Sequence, residues 1–321
     1  MVRATRHRSW RYWLYPAYWH YRLRHAGRTV GSAHAQGPYY GAIPNRGAGI
    51  GHQITCWAAG CHYAQVYGLQ YAYAPFGDAR WDQLLGYGQG ETTVEQLRQQ
   101  GYKVRRLPLT TDDNSAETAM NRRIIDSYGD AKVVFLAELD QFYTDLPQLQ
   151  QLMQQKFYAA PSRQQMKLCY DPACYNIAIH VRRGDIMADP QHENLRIRYL
   201  SNDYFRRVLD QVLDRIRPGR PIHVWFFSQG KPADYPEFSH VQNLHWCMDM
   251  DPYLSFVHMV YADLIVTSKS SFSYKPALLS RGIKVCPRLF WHPYPTGADW
   301  VLVENDGSFK PEELEKLKIE H

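Results

Sequence analysis

The second half of the chain alternates short apolar runs with helical patterns, and this alternation most constrains the fold. Residues 175–181, 222–227, 263–267 and 283–287 each have the length and the β-branched or aromatic content of a buried strand. Strands that alternate with helices favour a parallel sheet covered by helices. The sequence therefore predicts an α/β fold.

The predicted helices between these strands support the same fold. Over residues 203–216, apolar side chains recur at i, i+3 and i+4, and arginines and aspartates fall on the other side. Similar strand and helix patterns occur before residue 160, and 321 residues are enough for two domains of roughly 150 residues each. Pro161 and Pro172 bracket a polar stretch typical of a boundary. We predict an arm over residues 1–37, an N-terminal domain over 38–165 and a C-terminal domain over 166–321.

Charge is concentrated at the N-terminus. Residues 1–77 contain eight arginines and no lysine, aspartate or glutamate, and residues 1–28 interleave arginine with tryptophan and tyrosine. Such an arm fits anionic lipid, a nucleic-acid strand or a solvated leader. No apolar window is long enough to span a bilayer, and no secretory signal is recognisable. We expect a cytoplasmic protein, with peripheral membrane contact through residues 1–28 as an option and no nucleic-acid partner.

The six cysteines do not indicate a disulfide-built fold. Two pairs, Cys56 with Cys61 and Cys169 with Cys174, have a spacing that fits neither a common zinc site nor a redox motif. We interpret all six as reduced thiols, most of them in a core.

The sequence HVRRGD, residues 180–185, follows the first C-terminal strand directly. In an open parallel sheet, ligands bind beyond the carboxyl ends of the strands. A guanidinium group suits a phosphate or carboxylate, so Arg182 and Arg183 predict a pyrophosphate there, and Gly184 lets the backbone approach it. The alternative is that both arginines pair with structural carboxylates such as Asp185.

A serine cluster follows another predicted strand, in the sequence ADLIVTSKSSFSY, residues 262–274. Hydroxyls and the free N–H groups of a helix start form an anion-binding cradle, although serine is also an ordinary helix cap. Together with the two arginines, Ser270, Ser271 and Ser273 predict a clamp that holds a pyrophosphate from two sides.

Two weaker motifs have alternative interpretations. The turn GAGIGH, which contains Gly49, Gly51 and His52, resembles a dinucleotide fingerprint but lacks its full spacing and its acidic partner, so we expect its glycines to let the loop approach a ligand held by the other domain. Asp249 and Asp251 could hold a metal ion and a diphosphate, whereas Asp251 before Pro252 also fits a helix cap. We predict no metal site.

The motifs HVRRGD and ADLIVTSKSSFSY resemble the conserved pair of the α1,2-, α1,6- and protein-O-fucosyltransferase superfamily, and RGAGIGHQI is similar to its N-terminal glycine loop. The three occur in the family's order between residues 46 and 274. The resemblance implies a GT-B-like fold, two Rossmann-like domains facing a cleft, with the donor held by the C-terminal domain and the acceptor on the N-terminal side. It also implies GDP-fucose as donor, a glycan acceptor and no required cofactor.

The resemblance also implies roles for single residues. His180 and Arg182 would contact the diphosphate and ribose, Arg183 would support the loop or the sugar, and Asp263 would read the guanine edge, with Asp249 or Asp251 as alternatives. The three serines would bind phosphate oxygens. The sequence departs from α1,2 enzymes, which have SWW where this chain has SYK, so no linkage is predicted.

Direct displacement at the sugar's anomeric carbon requires a general base and stabilisation of the departing GDP. The carboxylates after the arginines are candidates for the base: Asp189 first, then Asp185, with Glu193 behind them. The predicted function is an inverting, metal-independent fucosyltransferase. The alternatives are another nucleotide-sugar donor, or a non-catalytic protein that binds nucleic acid or membrane through its arm.

Overall fold

The computed structural model describes residues 11–25, 37–45, 47–108, 115–138, 147–188 and 193–318. The chain divides into two compact units, Met1–Thr144 and Asp145–His321. In the parts described, no helix is both long and apolar enough to cross a membrane.

The N-terminal unit contains a four-stranded parallel sheet in the order β2-β1-β4-β3. Its strands are β1 Tyr39–Ala42, β2 Gln70–Tyr71, β3 Lys103–Arg106 and β4 Val133–Ala137. Its helices are α1 Arg11–His25, α2 Ile50–Tyr67, α3 Ala79–Leu85, α4 Val94–Gln99 and α5 Ser115–Asp126.

Helix α2 packs closely on β1 because the sequence places a glycine at the crossing. A Cβ atom on Gly60 would lie 2.9 Å from the Cβ of Ala42, closer than two such atoms can approach. The helix ends at Gly68, whose φ of 70° is the left-handed conformation that terminates many helices. Almost the whole of α2 is buried, which explains its apolar composition.

The C-terminal unit contains a six-stranded parallel sheet in the order β10-β9-β8-β5-β6-β7. Its strands are β5 Tyr175–His180, β6 Ile222–Ser228, β7 Leu244–Met248, β8 Leu264–Val266, β9 Ile283–Pro287 and β10 Trp300–Val303. Its helices are α6 Pro147–Ala159, α7 Ser162–Gln165, α8 Asp185–Ala188, α9 Glu193–Arg196, α10 Asn202–Arg215, α11 Pro252–Tyr261, α12 Ser271–Leu279 and α13 Pro311–Glu315. Two 3₁₀ turns span Pro232–Asp234 and Pro236–Phe238.

The apolar side of the amphipathic helix α10 packs into the core of the C-terminal unit. Ser201 caps it by accepting a hydrogen bond from the backbone N–H of Tyr204 at 3.1 Å. Phe205, Val208 and Leu209 are fully buried in the core beside the sheet. The predicted helix and its buried face are therefore confirmed.

The predicted domain boundary after residue 165 is too late. Helix α6 belongs to the C-terminal unit, where the amides of Gln150 and Gln154 donate to the carbonyl of Leu278 at 3.3 and 2.9 Å. The hydroxyl of Tyr158 donates to Leu279 at 3.1 Å. Because α12 lies far along the chain, the sequence contained no signal for these contacts.

The described part of the predicted arm is not a separate segment, because α1 packs on the N-terminal unit. Trp19 donates its indole N–H to the carbonyl of Arg106 at 2.7 Å, and the hydroxyls of Tyr18 and Tyr128 are hydrogen-bonded. The guanidinium of Arg22 lies 3.7 Å from the centre of the Tyr128 ring. Residues 1–10 and 26–36 of the predicted arm lie outside the described residues.

Helix α1 covers the carboxyl edge of the N-terminal sheet at the ends of β3 and β4. Tyr15 and Trp19, which stack with their ring centres 5.7 Å apart, line a small pocket there. Arg106 and Glu138, which form an ion pair at 2.6 Å, also line this pocket.

Candidate functional site

The carboxyl end of β5 carries the charged residues that the sequence analysis singled out. His180 is the last residue of the strand, and Arg182, Arg183 and Gly184 follow before α8 begins. Gly184 has a φ of +62°, a conformation that side chains with a Cβ rarely adopt. This glycine is therefore required by the turn between β5 and α8.

Ser268 connects this loop to the neighbouring strand. β5 and β8 pair in parallel, so their carboxyl ends lie side by side. The hydroxyl of Ser268 donates to the carbonyl of His180 at 2.5 Å and accepts from the backbone N–H of Arg182 at 2.9 Å. We did not predict a role for Ser268; its position two residues after the end of β8 was the available signal.

The structure brings the twin-arginine loop and the serine cluster together. The guanidinium of Arg182 donates to the hydroxyl of Ser270 at 3.1 Å. Ser270 is also the cap of α12, because its hydroxyl accepts from the backbone N–H of Phe272 at 3.2 Å. One partly exposed guanidinium therefore lies at the N-terminus of a helix, where the helix dipole is also positive.

The serine hydroxyls themselves are used inside the fold. Ser270 and Ser273 are completely buried, and Ser273 accepts from the backbone N–H of Ser268 at 3.2 Å. This burial contradicts the predicted contact of their hydroxyls with phosphate. The hydroxyl of Ser271, which is partly exposed, lies 2.9 Å from the Nε2 atom of His292.

Arg183 holds the loop in place. Its guanidinium donates to the side-chain oxygen of Asn202 at 2.5 Å and to the carbonyl of Arg182 at 2.7 Å, and it lies over the ring of Tyr199. Burial lowers the pKa of this guanidinium, partly opposed by the nearby Tyr199. These contacts agree with the loop-supporting role that the family resemblance implied. They also show that its described guanidinium contacts are to neutral oxygens rather than to a carboxylate.

His180 is held neutral. It is buried at the end of β5, and burial together with the charges of Arg182 and Arg183 lowers its pKa to about 3. Its Nδ1 atom lies 3.3 Å from the hydroxyl of Ser268. At neutral pH, His180 therefore adds hydrogen-bonding capacity to this edge without adding charge.

The structure does not test the candidate bases. Asp189 lies outside the described residues, and the side chains of Asp185 and Glu193 are likewise not described, although the backbone of Asp185 begins α8 and that of Glu193 begins α9. The role of base therefore stays a prediction for each of them.

Asp263 lies at the wrong edge of the sheet for the predicted guanine contact. It precedes β8, so it sits at the amino end, where it accepts from the backbone N–H of Asn176 at 2.8 Å. Its other oxygen pairs with Arg220 at 2.6 Å. The carboxylate therefore stabilises the starts of β5 and β8, and this position contradicts the assignment.

Asp251 forms the cap of α11, the alternative that its sequence Asp-Pro indicated. Its carboxylate accepts from the backbone N–H groups of Tyr253 and Leu254 at 2.9 and 3.2 Å. Asp249 has a φ of +49° and accepts from the N–H of Gly230 at 3.4 Å.

Within the described residues, no group of three or more histidine, cysteine or acidic side chains is arranged to hold a metal ion. All six cysteines are free thiols, and only Cys169 is exposed.

The glycine turn of the N-terminal unit begins α2. Gly49 is the residue before the helix, and Gly51 and His52 lie in its first turn. Gln53, which the prediction left out, fixes this turn by donating to the carbonyl of Ala48 at 2.9 Å and accepting from the N–H of Gly77 at 3.2 Å. The expected approach of this loop to a donor stays a prediction.

Comparison with known proteins supports the fold. No protein-family model and no curated protein matches the chain. The crystal structure of POFUT1 in complex with GDP aligns with a TM-score of 0.50 at 12% identity, over 79% of this chain and 99% of that chain. The fucosyltransferase NodZ from Bradyrhizobium aligns with a TM-score of 0.47 at 10% identity, over 77% and 94%. A variant of FUT1 from Arabidopsis thaliana in complex with GDP aligns with a TM-score of 0.46 at 11% identity, over 86% and 75%.

At 12% identity, the likeness to POFUT1 establishes the fold alone. The two parallel sheets with their helices agree with it. The chain therefore has an α/β fold similar to that of GT-B fucosyltransferases, as the sequence predicted.

Proposed function

We propose that this protein is a glycosyltransferase that transfers fucose from GDP-fucose to a hydroxyl group of a glycan. The observation that carries the proposal is the meeting of Arg182 with the N-terminus of α12 at the carboxyl edge of a parallel sheet. Both groups attract an anion, and the edge is where such sheets bind ligands.

A diphosphate is the ligand that fits these groups best. The Arg182 guanidinium can donate two parallel hydrogen bonds to phosphate oxygens, and the positive N-terminal end of the α12 dipole attracts the same anion. Because Ser270 and Ser273 are buried, the proposed contacts come from the guanidinium and the helix backbone rather than from their hydroxyls. Neutral His180 leaves the positive charge of the site on the arginines.

The same groups support a displacement mechanism. The acceptor oxygen forms a bond to the anomeric carbon while the bond from that carbon to the diphosphate oxygen breaks, and the configuration inverts. Arg182 and the dipole of α12 stabilise the charge that develops on the departing GDP. The acceptor proton passes to a carboxylate, for which Asp189 and Asp185 are the proposed candidates.

The choice of GDP and fucose rests on two supports. The motifs HVRRGD and ADLIVTSKSSFSY resemble those of fucosyltransferases. POFUT1, whose fold this chain shares, was crystallised in complex with GDP. A metal-independent reaction is part of the proposal, because Arg182 and α12 can supply the charge stabilisation that a metal ion provides in other transferases.

The proposal is tested by ligand-induced thermal stabilisation with GDP, UDP, ADP and CMP, each with and without manganese. A nucleotide at 100 times its dissociation constant adds about 2.7 kcal/mol to the free energy of unfolding. We expect GDP to stabilise the protein without manganese. A manganese-dependent stabilisation by UDP alone would instead support the alternative donor.

Two arginine variants test whether GDP binds at the proposed site beside Arg182. Arg182→Ala should remove the stabilisation by GDP and the release of GDP from GDP-fucose. Arg217→Ala is the matched control, because Arg217 is exposed in the same unit and precedes β6 at the amino edge of the sheet. Stabilisation by GDP that survives in the Arg182 variant, or that is lost equally in the Arg217 variant, would contradict the proposed site.

A further inference from the structure

We propose that the outward face of α1 binds an anionic lipid surface, a property separate from the proposed transferase activity. The structure divides α1 into two faces. Tyr18, Trp19 and Arg22 contact the N-terminal unit through the bonds described above. The opposite face, which we call the outward face, consists of six exposed residues: Leu14, Pro16, Ala17, His20, Tyr21 and Arg24.

The spacing of these residues makes the outward face continuous. Positions 14, 17, 21 and 24 fall on one side of a helix, because three and four residues both complete about one turn. Leu14 is 57% exposed and Tyr21 is 56% exposed. Among large hydrophobic residues in the described ranges, only Leu289, in the other unit, is as exposed.

The charge around this face suits an anionic partner. Residues 1–77 supply arginines and no carboxylate, so no part of α1 repels a phosphate headgroup. Arg24 lies on the outward face itself.

The division of side chains between the two faces favours lipid over nucleic acid. Single-stranded nucleic acid is bound by exposed aromatic rings on which bases stack. Here Tyr18 and Trp19 contact the protein, and among the side chains of α1 that the structure describes, Tyr21 is the one exposed tyrosine or tryptophan, with the aliphatic Leu14 about equally exposed. An aliphatic group has no stacking surface, but it inserts readily at the boundary between headgroups and acyl chains.

Vesicle sedimentation of the full chain tests the inference, with phosphatidylcholine vesicles that contain or lack phosphatidylserine. We expect binding to the vesicles with phosphatidylserine, and weaker binding as salt screens the charges. The double variant Leu14→Glu with Tyr21→Glu should lose at least about tenfold in vesicle affinity, because two apolar groups no longer insert. Leu289→Glu is the matched control and should bind like the unmodified protein.

Several outcomes would overturn the inference. These are retained binding in the double variant, an equal loss in the Leu289 variant, and equal binding to vesicles without phosphatidylserine. Binding of a single-stranded oligonucleotide in the absence of vesicle binding would replace lipid by nucleic acid. Circular dichroism and the melting temperature check that the variants fold, which we expect because all three substituted side chains are exposed.

Discussion

Mild acid should destabilise the protein because His180 takes up a proton in the unfolded chain and not in the folded one, and His180→Asn should remove this effect. The folded protein holds the pKa of His180 at about 3, whereas the unfolded chain has a pKa of about 6.5. Between these values the unfolded chain binds the additional proton, so the free energy of unfolding falls as pH falls. The stabilising contribution is fully present above pH 6.5 and is lost toward pH 3.

The magnitude follows from the difference between pH 5 and the unfolded pKa. That difference is about 1.5 units, and each unit corresponds to about 1.36 kcal/mol, so His180 accounts for a loss of about 2 kcal/mol between pH 7.5 and pH 5. Asparagine keeps a polar group beside Ser268 but does not titrate. The free energy of unfolding of His180→Asn should therefore fall by about 2 kcal/mol less than that of the unmodified protein between pH 7.5 and pH 5.

Urea unfolding of both proteins at pH 7.5 and pH 5 measures the difference directly. The other histidines are common to both proteins, so their contributions cancel in the comparison. The overall stability of the variant does not affect the test, because only the change with pH is compared. An unchanged pH dependence in His180→Asn would refute the inference that this histidine is buried beside two cationic groups.

Three further variants test the packing of the C-terminal sheet. Ser268→Ala should lower the free energy of unfolding in urea by about 1–3 kcal/mol, because the partly buried N–H of Arg182 loses its acceptor; a change near zero would contradict this role. Asp263→Asn should lower stability and leave stabilisation by GDP unchanged, whereas loss of the GDP effect would restore the guanine assignment. Gly282→Ala should cost about 1–3 kcal/mol or more, because its Cβ would lie 2.3 Å from the carbonyl oxygen of Asp263; wild-type stability in urea would refute that close approach.

The predicted strands of the C-terminal half agree with the structure because central parallel strands are buried on both faces. Residues 175–180 and 283–287, which form β5 and β9, are mostly apolar and are buried except for the partly buried Ile283. β7 was not predicted, since four of its five residues are only partly buried. Helix α1 was also not predicted: its aromatic composition and Pro16 are poor helix signals, and its contacts with the N-terminal unit stabilise it.

Strand direction accounts for both the successes and the errors at the candidate site. The rule that ligands bind at carboxyl ends placed Arg182 near the start of α12, which the structure confirms. The same rule would have excluded Asp263, because a residue before a strand lies at its amino end. The burial of Ser270 and Ser273 could not be predicted, because it depends on which hydroxyl reaches which backbone group.

The sequence by itself determined the α/β class, the alternation of strands and helices, and the position of the charged loop after β5. These features could be predicted because the periodicity of apolar residues indicates which side chains are buried, and a change to charged residues indicates where a strand ends. The tertiary structure alone decided which groups of that loop are exposed. Arg183 and the serine hydroxyls are used within the fold, whereas Arg182 stays partly exposed. The reason is that hydrogen bonds between residues about 20 to 90 positions apart depend on three-dimensional distances, which no local pattern encodes.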